Sequence, residues 1–230
     1  MDYRLTILTH GDSAPLETTL DSFAAHVAPH PSSVYVHVDG PPVGWDTPTD
    51  RASRLVHAFF PDAAIDTAVI SPGIGFCRAT ERAWQAAARA AEPWVFWLEH
   101  DFEFTVAVDL HDLANVMVWR PHLVQMALYR NAVNDVEVDA GGYIPASPGW
   151  YEPYIDDGLG RWFEHARNWT TNPSLIRTDF VREHPWPTDD HCEGHFGFQV
   201  REYDEDRRFG IWGDGTVYVN HIGHRNGFGY

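Results

Sequence analysis

The stretch Trp94-Val-Phe-Trp-Leu-Glu-His-Asp-Phe-Glu-Phe104 is an apolar run that ends abruptly in Glu99, His100 and Asp101. Residues 94–98 predict a strand that is buried on both faces, because aromatic and β-branched side chains follow one another without polar alternation. Two carboxylates at the end of such a strand are costly unless a cation meets them. Hard divalent cations bind carboxylates together with phosphate oxygens. The stretch therefore suggests a site for a metal-bound phosphate ligand.

The first hundred residues alternate between strand and helix signals. Strands are predicted at residues 4–9, 34–38, 65–70 and 94–98, and helices at 14–27, 51–60 and 77–91. This order predicts βαβ units, a parallel sheet and right-handed crossovers. Because parallel strands end at one edge of a sheet, the polar residues after each strand should converge on one crevice, as in nucleotide-binding folds. These residues are 10–12, Asp39, 73–78 and 99–101.

The second half of the chain is less regular. We predict helices at residues 110–119 and 191–203, a helical turn at 178–183, and strands at 123–129, 172–176 and 216–220. Residues 131–160 are rich in Gly, Pro, Asp and Tyr, which is typical of a long functional loop or lid.

The composition limits the possible partners. The 230 residues are 44% hydrophobic, as in a globular protein, and 16 basic against 33 acidic residues give a net charge of −17. This charge disfavours broad attraction to nucleic acid or to an anionic membrane. No segment approaches the ~20 apolar residues of a membrane span. With only Cys77 and Cys192, a reducing compartment is the simpler interpretation, and we expect a cytoplasmic protein.

The ordered strand ends resemble those of GT-A glycosyltransferases, most closely family 2. The matching segments are Thr9-His10-Gly11-Asp12, Asp39, the helix entry at 73–78, and Glu99-His100-Asp101. The resemblance implies an α/β, Rossmann-like fold with a mostly parallel central sheet flanked by helices and an irregular, acceptor-side second half. It also implies one domain, with a nucleotide-sugar-binding half at residues 1–104 and an acceptor-binding and catalytic half at 105–230.

In enzymes of this kind the acids after the fourth strand form the DXD motif. The resemblance makes Asp101 a ligand of Mn²⁺ or Mg²⁺ bridging the nucleotide diphosphate, and places Glu99 at the nucleotide. The metal is needed because diphosphate leaves readily only when positive charge offsets the negative charge that develops on it. By the same resemblance Asp39 contacts the nucleobase or ribose, and residues 9–12, Gly73 and Arg78 approach the donor. A turn residue is the simpler interpretation of Asp39 taken alone.

A second acidic cluster, Asp189-Asp190-His191-Cys192-Glu193-Gly194-His195, lies where family-2 enzymes carry the Glu-Asp pair that supplies the catalytic base. Gly194 takes the place of the Asp, so Glu193 is the first candidate and Asp190 the second. An inverting transfer needs one carboxylate that deprotonates the acceptor hydroxyl. Acids in the first turn of a helix also stabilise its dipole without any catalytic role.

The last predicted strand is followed by His221-Ile222-Gly223-His224-Arg225. The resemblance implies that His221 or His224 completes the metal shell and that Arg225 meets the diphosphate. Aromatic residues of the irregular half are candidates for acceptor contacts, because rings stack on sugars and bases. They are Trp150, Tyr151, Tyr154, Trp162 and Trp169.

We therefore predict a metal-dependent glycosyltransferase, inverting, that moves a sugar from a nucleotide-diphosphate donor to an acceptor hydroxyl of a glycan or small molecule. A modified DNA base is a less favoured acceptor, because the net negative charge of the chain opposes binding to DNA. A zinc-dependent hydrolase is an alternative, because His191 and His195 share a helical face, although Glu193 is not at the usual second position of the motif. A non-catalytic carbohydrate-binding module is another, prompted by the aromatic loops.

Overall fold

The structure, a computed structural model, describes residues 1–10, 13–40, 48–167, 169–189 and 191–223. Within these ranges the helices are α1 (Ser13–His26), α2 (Pro48–Phe59), α3 (Phe76–Ala88), α4 (Leu110–Trp119), α5 (Asp135–Ala140), α6 (Thr178–Glu183) and α7 (Cys192–Tyr203). None of these described helices has the length and apolar character needed to cross a bilayer.

The strands alternate with these helices along the first half of the chain and cluster in the second. They are β1 (Tyr3–His10), β2 (Val27–Ala28), β3 (Ser33–Asp39), β4 (Ala64–Ile70), β5 (Trp94–Glu99), β6 (Phe102–Phe104), β7 (Val108–Asp109), β8 (Leu123–Leu128), β9 (Ile155–Asp156), β10 (Arg161–His165), β11 (Ser174–Arg177), β12 (Arg208–Trp212) and β13 (Val219–His221).

One large sheet organises the described part of the chain, in the order β4-β3-β1-β5-β11-β8-β12-β10-β9. The strands β4, β3, β1 and β5 are parallel, as are β8 and β12. Only β11 and β10 run antiparallel to both of their neighbours, so the other strands of this sheet share one direction. The predicted α/β fold with a mostly parallel sheet flanked by helices is confirmed.

Strand β5 explains why helices cover both faces of the sheet. Trp94, Phe96 and Leu98 pack into the core beside α1, α2 and α4, whereas Val95 and Trp97 pack into the core beside α3, α6 and α7. All six residues of β5 are buried, which confirms the prediction from its unbroken apolar sequence. The result is a three-layer arrangement of helices, sheet and helices.

The ends of the parallel strands lie at one edge of the sheet, as predicted. In the register of the sheet His10 lies opposite Asp39, and Leu8 lies opposite Glu99. A separate two-stranded sheet pairs β13 with β6, placing His221 opposite Phe102. This pairing brings the carboxyl-terminal region against the acidic end of β5.

The second half contains strands that the sequence patterns do not predict, β10 and β12. Gly210 interrupts the apolar pattern of β12, and a glycine within a strand usually weakens it. Here the glycine accommodates a close neighbour, because a Cβ at this position would lie 2.6 Å from the Met126 sulfur of β8. The predicted loop at residues 131–160 contains α5 and β9.

The two cysteines, which favoured a reducing compartment in the sequence, are paired with each other. Cys77 and Cys192 form a disulfide with a Cα–Cα distance of 5.7 Å across 115 residues of sequence. It joins the first turns of α3 and α7, a pairing that the sequence analysis does not include. The cytoplasmic location stays a prediction.

Phe23 of α1 is fully buried and makes edge-on contacts with the rings of Phe60, Phe96 and Phe104. We expect Phe23→Ala to lower the free energy of unfolding by about 3–5 kcal/mol, because it removes buried surface and leaves a cavity. Urea unfolding followed by fluorescence measures the loss. Phe198→Ala, at a ring that is 56% exposed, is the control and should change stability by less than about 0.5 kcal/mol. Equal effects of the two variants would contradict this account of the core.

Candidate active site

A cavity of about 250 Å³ lies where the strand ends of the first half meet the second half. Its walls include three acids from different elements: Glu99 at the end of β5, Glu137 of α5 and Glu193 of α7. His221 of β13 also lines it. The fold thus brings together candidates that are far apart in the sequence. A larger depression of about 400 Å³, beside α1 and α2, includes none of the predicted site residues.

Asp101 and His221 form a pair beside this cavity. The His221 Nε2 atom lies 3.2 Å from Asp101 Oδ2, and their side chains are only 6% and 13% exposed, respectively. The backbone holds the pair, because Ile222 N donates to Asp101 O at 2.8 Å and His221 N donates to Asn131 Oδ1 at 2.8 Å. A Cβ at Gly223 would overlap the Asp101 carboxylate, so only glycine fits there.

The environment of Asp101 favours its charged form. Burial alone would raise the pKa of Asp101, but the hydrogen bond from His221 and the nearby imidazoles of His100 and His221 outweigh burial, and the net shift of the pKa is downward. The other carboxylate oxygen, Oδ1, is buried without a hydrogen-bond partner among the described residues. A carboxylate in this state can accept a cation.

The Asp101 carboxylate suits both Mn²⁺ and Mg²⁺, whereas the His221 imidazole is a ligand for a transition metal such as Mn²⁺. Among the described residues no group of three or more His, Cys, Asp or Glu side chains is placed to hold a metal ion. The protein would therefore supply Asp101 and His221, and a bound ligand or water the remaining positions. His224, the other predicted histidine ligand, lies outside the described residues, as does Arg225.

The histidines of the hydrolase alternative do not form a metal site in the described part of the chain. His195 Nδ1 lies 2.7 Å from Asp189 Oδ2, and both of these side chains are about half exposed. Glu193 instead contacts Thr171. This arrangement gives the zinc-hydrolase alternative no geometric support.

Glu193 lies in the first turn of α7 and reaches the cavity wall. Its Oε1 atom accepts hydrogen bonds from Thr171 N at 2.8 Å and from Thr171 Oγ1 at 2.7 Å. Thr171 also lines the cavity. The carboxylate is therefore held in one orientation, which the sequence analysis could not predict because Thr171 is not part of any motif. Asp190, the second candidate base, lies outside the described residues.

Asp39 anchors the loop before α3. Its Oδ1 accepts from Ile74 N at 2.7 Å and its Oδ2 from Gly75 N at 3.0 Å, and its side chain is almost fully buried. Gly75 has a φ of 86°, a conformation that favours glycine. A Cβ at Gly73 would lie 3.3 Å from Asp39 Oδ2. The structure thus gives Asp39 a role in shaping the loop, and contact with a nucleobase or ribose stays a prediction.

The other residues predicted to approach the nucleotide-sugar donor lie at the same sheet edge. Thr9 is buried in β1, and the His10 backbone pairs with Asp39, whereas Gly11 and Asp12 lie outside the described residues. Arg78 is exposed in the first turn of α3. Within the described part of the chain it forms no ion pair, so its guanidinium is available to an anion near this helix end.

Arg130 and Glu137 were missed by the sequence analysis, although both line the cavity. Arg130 donates to both Glu137 carboxylate oxygens, at 2.8 Å and 3.1 Å, and lies over the Tyr143 ring. Glu137 also accepts from Val133 N at 2.9 Å, and its own N–H donates to Asn134 Oδ1. The position of Arg130 in the sequence could have indicated this role. Arg130 lies shortly after strand β8, and open α/β sheets bind ligands at the carboxyl ends of their parallel strands.

Three of the five aromatic candidates for acceptor contacts line the cavity: Trp150, Tyr151 and Trp169. Trp150 is 41% exposed, and the Arg167 guanidinium lies over its ring, 5.6 Å from the centroid. Trp162 is instead fully buried in the core, and Tyr154 packs against Phe163. These two do not belong to the cavity wall.

The sequence matches no protein-family model and no curated protein. Solved structures with the same fold include TarS of S. aureus, with 12% identity, a TM-score of 0.60, and coverage of 97% of this chain and 37% of TarS. The mannosyltransferase PcManGT of Pyrobaculum calidifontis, in complex with GDP-Man and Mn²⁺, has 16% identity, a TM-score of 0.61, and coverage of 98% and 58%.

GalNAc-T7, solved with UDP, GalNAc and Mn²⁺, has 9% identity, a TM-score of 0.66, and coverage of 99% of this chain and 44% of the other. The present chain thus spans between 37% and 58% of the length of these three structures. The shared architecture confirms the GT-A-like fold that the strand ends predict.

His165 of β10 contributes a neutral imidazole to the cavity wall. The side chain is buried, and its Nε2 atom has no hydrogen-bond partner among the described residues. Burial disfavours the charged imidazole and lowers the pKa of His165 to about 4.

We expect this histidine to make stability fall in acid. Between the unfolded pKa of roughly 6.5 and the folded pKa of about 4, the unfolded chain binds a proton that the native protein does not. The native state should therefore lose roughly 3 kcal/mol as pH falls through this window. Urea unfolding at several pH values measures the loss. The variant His165→Phe should show a shallower dependence on pH, and identical slopes for the two proteins would contradict the assignment.

Proposed function

We propose that this chain is a metal-dependent glycosyltransferase that moves a sugar from a nucleotide-diphosphate donor to an acceptor hydroxyl, with inversion at the anomeric carbon. The observation that carries the proposal is the cavity in which Glu99, Glu193 and His221 meet, with Asp101 paired to His221. The cavity lies at the carboxyl ends of parallel strands, where open α/β sheets bind their ligands.

The charge of the cavity supports the requirement for a metal. Arg130 is the one Arg or Lys among the described residues of its wall, and Glu137 neutralises it through two hydrogen bonds. Glu99, Glu193 and the adjoining Asp101 add three more carboxylates, and the described wall contributes no second Arg or Lys. A diphosphate would be repelled from such a site unless a divalent cation came with it.

On the donor side, Asp101 and His221 would hold Mn²⁺ or Mg²⁺, and Glu99 would contact the nucleotide. The ion supplies positive charge that stabilises the departing diphosphate. The loop held by Asp39, with Gly73 and Arg78, would approach the donor. His10, Gly11, Asp12, His224 and Arg225 remain donor-side or metal-side candidates by resemblance.

On the acceptor side, Glu193 is the proposed base. The hydrogen bonds from Thr171 fix the carboxylate, so that it can take the proton of an acceptor hydroxyl as that oxygen attacks the anomeric carbon. Trp150 and Tyr151 at the cavity wall would stack on the acceptor. Asp190 is the second candidate for the base.

The first test concerns the metal and the donor. A thermal-shift screen of UDP- and GDP-sugars, each with and without Mn²⁺, should raise the melting temperature only when both components are present. At a ligand concentration about 100 times Kd the stabilisation is ~2.7 kcal/mol, or roughly 5–10 °C for a chain of this size. Asp101→Asn should abolish this shift, because it removes the charge that holds the ion.

Glu103→Gln is the matched control for Asp101→Asn, since it removes a carboxylate two residues away that lies outside the cavity wall. It should keep the full shift. A full shift in Asp101→Asn would remove Asp101 from the metal site. The absence of a shift in the wild-type protein with every donor would contradict a nucleotide-sugar site and return the carbohydrate-binding module to consideration.

The second test concerns the base. Glu193→Gln keeps an oxygen that can accept from Thr171 but cannot take a proton, so we expect kcat to fall by roughly 10²–10⁴-fold. The affinity for donor and metal should not change. Glu202→Gln, at an exposed acid on the same helix, should leave kcat unaltered. Steady-state rates of nucleotide release give both values, and a wild-type kcat for Glu193→Gln would transfer the role to another acid.

A further inference from the structure

The single disulfide of this chain joins two helices that carry candidate site residues. Cys77 is the second residue of α3 and Cys192 is the first residue of α7. Each cysteine is followed in sequence by a candidate site residue, Arg78 in one helix and Glu193 in the other. The bridge therefore joins the donor side of the site to the side that carries the proposed base.

In neither helix does the N-cap residue cap the first turn with its side chain. The N-cap residue of α3 is Gly75, and that of α7 is His191, a non-glycine residue with a φ of 68°; neither makes a side-chain capping hydrogen bond. The first turn of a helix contains N–H groups with no partner inside the helix, and capping side chains usually hold it. The disulfide is a covalent link that restrains the first turns of both α3 and α7.

Contacts on either side of the bridge connect it to the chemistry. The turn before α3 is held by Asp39 through Ile74 N and Gly75 N. The first turn of α7 is held to the cavity wall by Glu193 and Thr171. A continuous series of bonds thus runs from the donor loop through the disulfide to the proposed base.

Aromatic packing holds the two helices together independently of the bridge. The Trp84 ring of α3 lies 5.1 Å from the Phe196 ring of α7, and Trp169 lies 5.3 Å and 5.0 Å from these same two rings. These edge-to-face contacts bury apolar surface and hold the helices against each other, but they involve side chains in the middle of each helix and not the backbone of the first turn of α7. The fold can therefore survive loss of the disulfide, while the placement of the first turn of α7 depends on it.

We infer that the Cys77–Cys192 disulfide is a positioning element that fixes Glu193 relative to the donor, and that its reduction slows transfer without preventing donor binding. This inference rests on the proposed function. Two thiols give up two protons and two electrons to an oxidant, such as molecular oxygen or a small disulfide, when the bridge forms. A small dithiol returns them, leaves Cys77 and Cys192 as thiols and is itself oxidised to a disulfide.

The experiment compares the oxidised wild-type protein, the same protein reduced with dithiothreitol, and the variants Cys77→Ser, Cys192→Ser and Cys77→Ser/Cys192→Ser. We expect kcat to fall by roughly 10–100-fold in every form that lacks the bridge, because a shift of about 1 Å in a reacting group costs this much. Donor affinity, measured by calorimetry with Mn²⁺ and the nucleotide sugar, should be unchanged. Dithiothreitol should have no further effect on the double variant, which is the matched control for the reagent.

A readout that does not depend on activity is hydrogen exchange at the Thr171 amide, which donates to Glu193. Its exchange should accelerate on reduction, while the amide of Trp97 in the central sheet keeps its protection and shows that the fold is intact. If the variants do not fold, reduction of the folded wild-type protein provides the same comparison.

Wild-type kcat and unaltered Thr171 exchange after reduction would overturn the positioning role. Two reactive thiols in the denatured, non-reduced chain would overturn the bridge itself. If no sugar is transferred by any form but Thr171 still responds to reduction, the proposed function fails while the mechanical coupling between the helices stands. If sugar is transferred, and reduction lowers kcat and accelerates Thr171 exchange without changing donor affinity, both proposals hold.

Discussion

The site depends on the burial of β5 on both faces. The strand lies between β1 and β11 with all six side chains buried, so its end cannot shift without disturbing both cores. His100 is fixed as well, since its N–H donates to Leu8 O at 3.1 Å and its carbonyl accepts from Thr19 Oγ1 at 2.6 Å. Core packing therefore sets the position of Glu99 and Asp101, and His221 compensates part of the cost of burying Asp101.

The first half of the fold could be predicted because its signals are local. An unbroken apolar run gives a strand buried on both faces, the βαβ order gives the parallel sheet, and the sheet edge then follows. The antiparallel strands of the second half could not be predicted in the same way. Gly210 is explained only by Met126 of a neighbouring strand, and Trp162 only by its place in the core. Their sequence context alone favours a loop.

In the candidate site, too, the residues that local sequence signals predict differ from those that depend on long-range contacts. Glu99 and Asp39 end parallel strands and Asp101 follows one closely, so their position at one sheet edge could be predicted from the order of elements. The contact between Glu193 and Thr171, the pairing of Arg130 with Glu137, and the disulfide depend on approaches between distant segments. The identities of 9–16% to structures of the same fold show that very different sequences form this scaffold.

The pairing of β13 with β6 has a consequence for the order in which the protein is built. Ribosomes make the acidic loop at Glu99 and Asp101 about 120 residues before His221, which then returns to lie beside it. The helices and parallel strands of the first half can pack while Asp101 still lacks its imidazole partner. The Asp101–His221 pair therefore forms only after His221 has been made, later than the parallel strands of the first half.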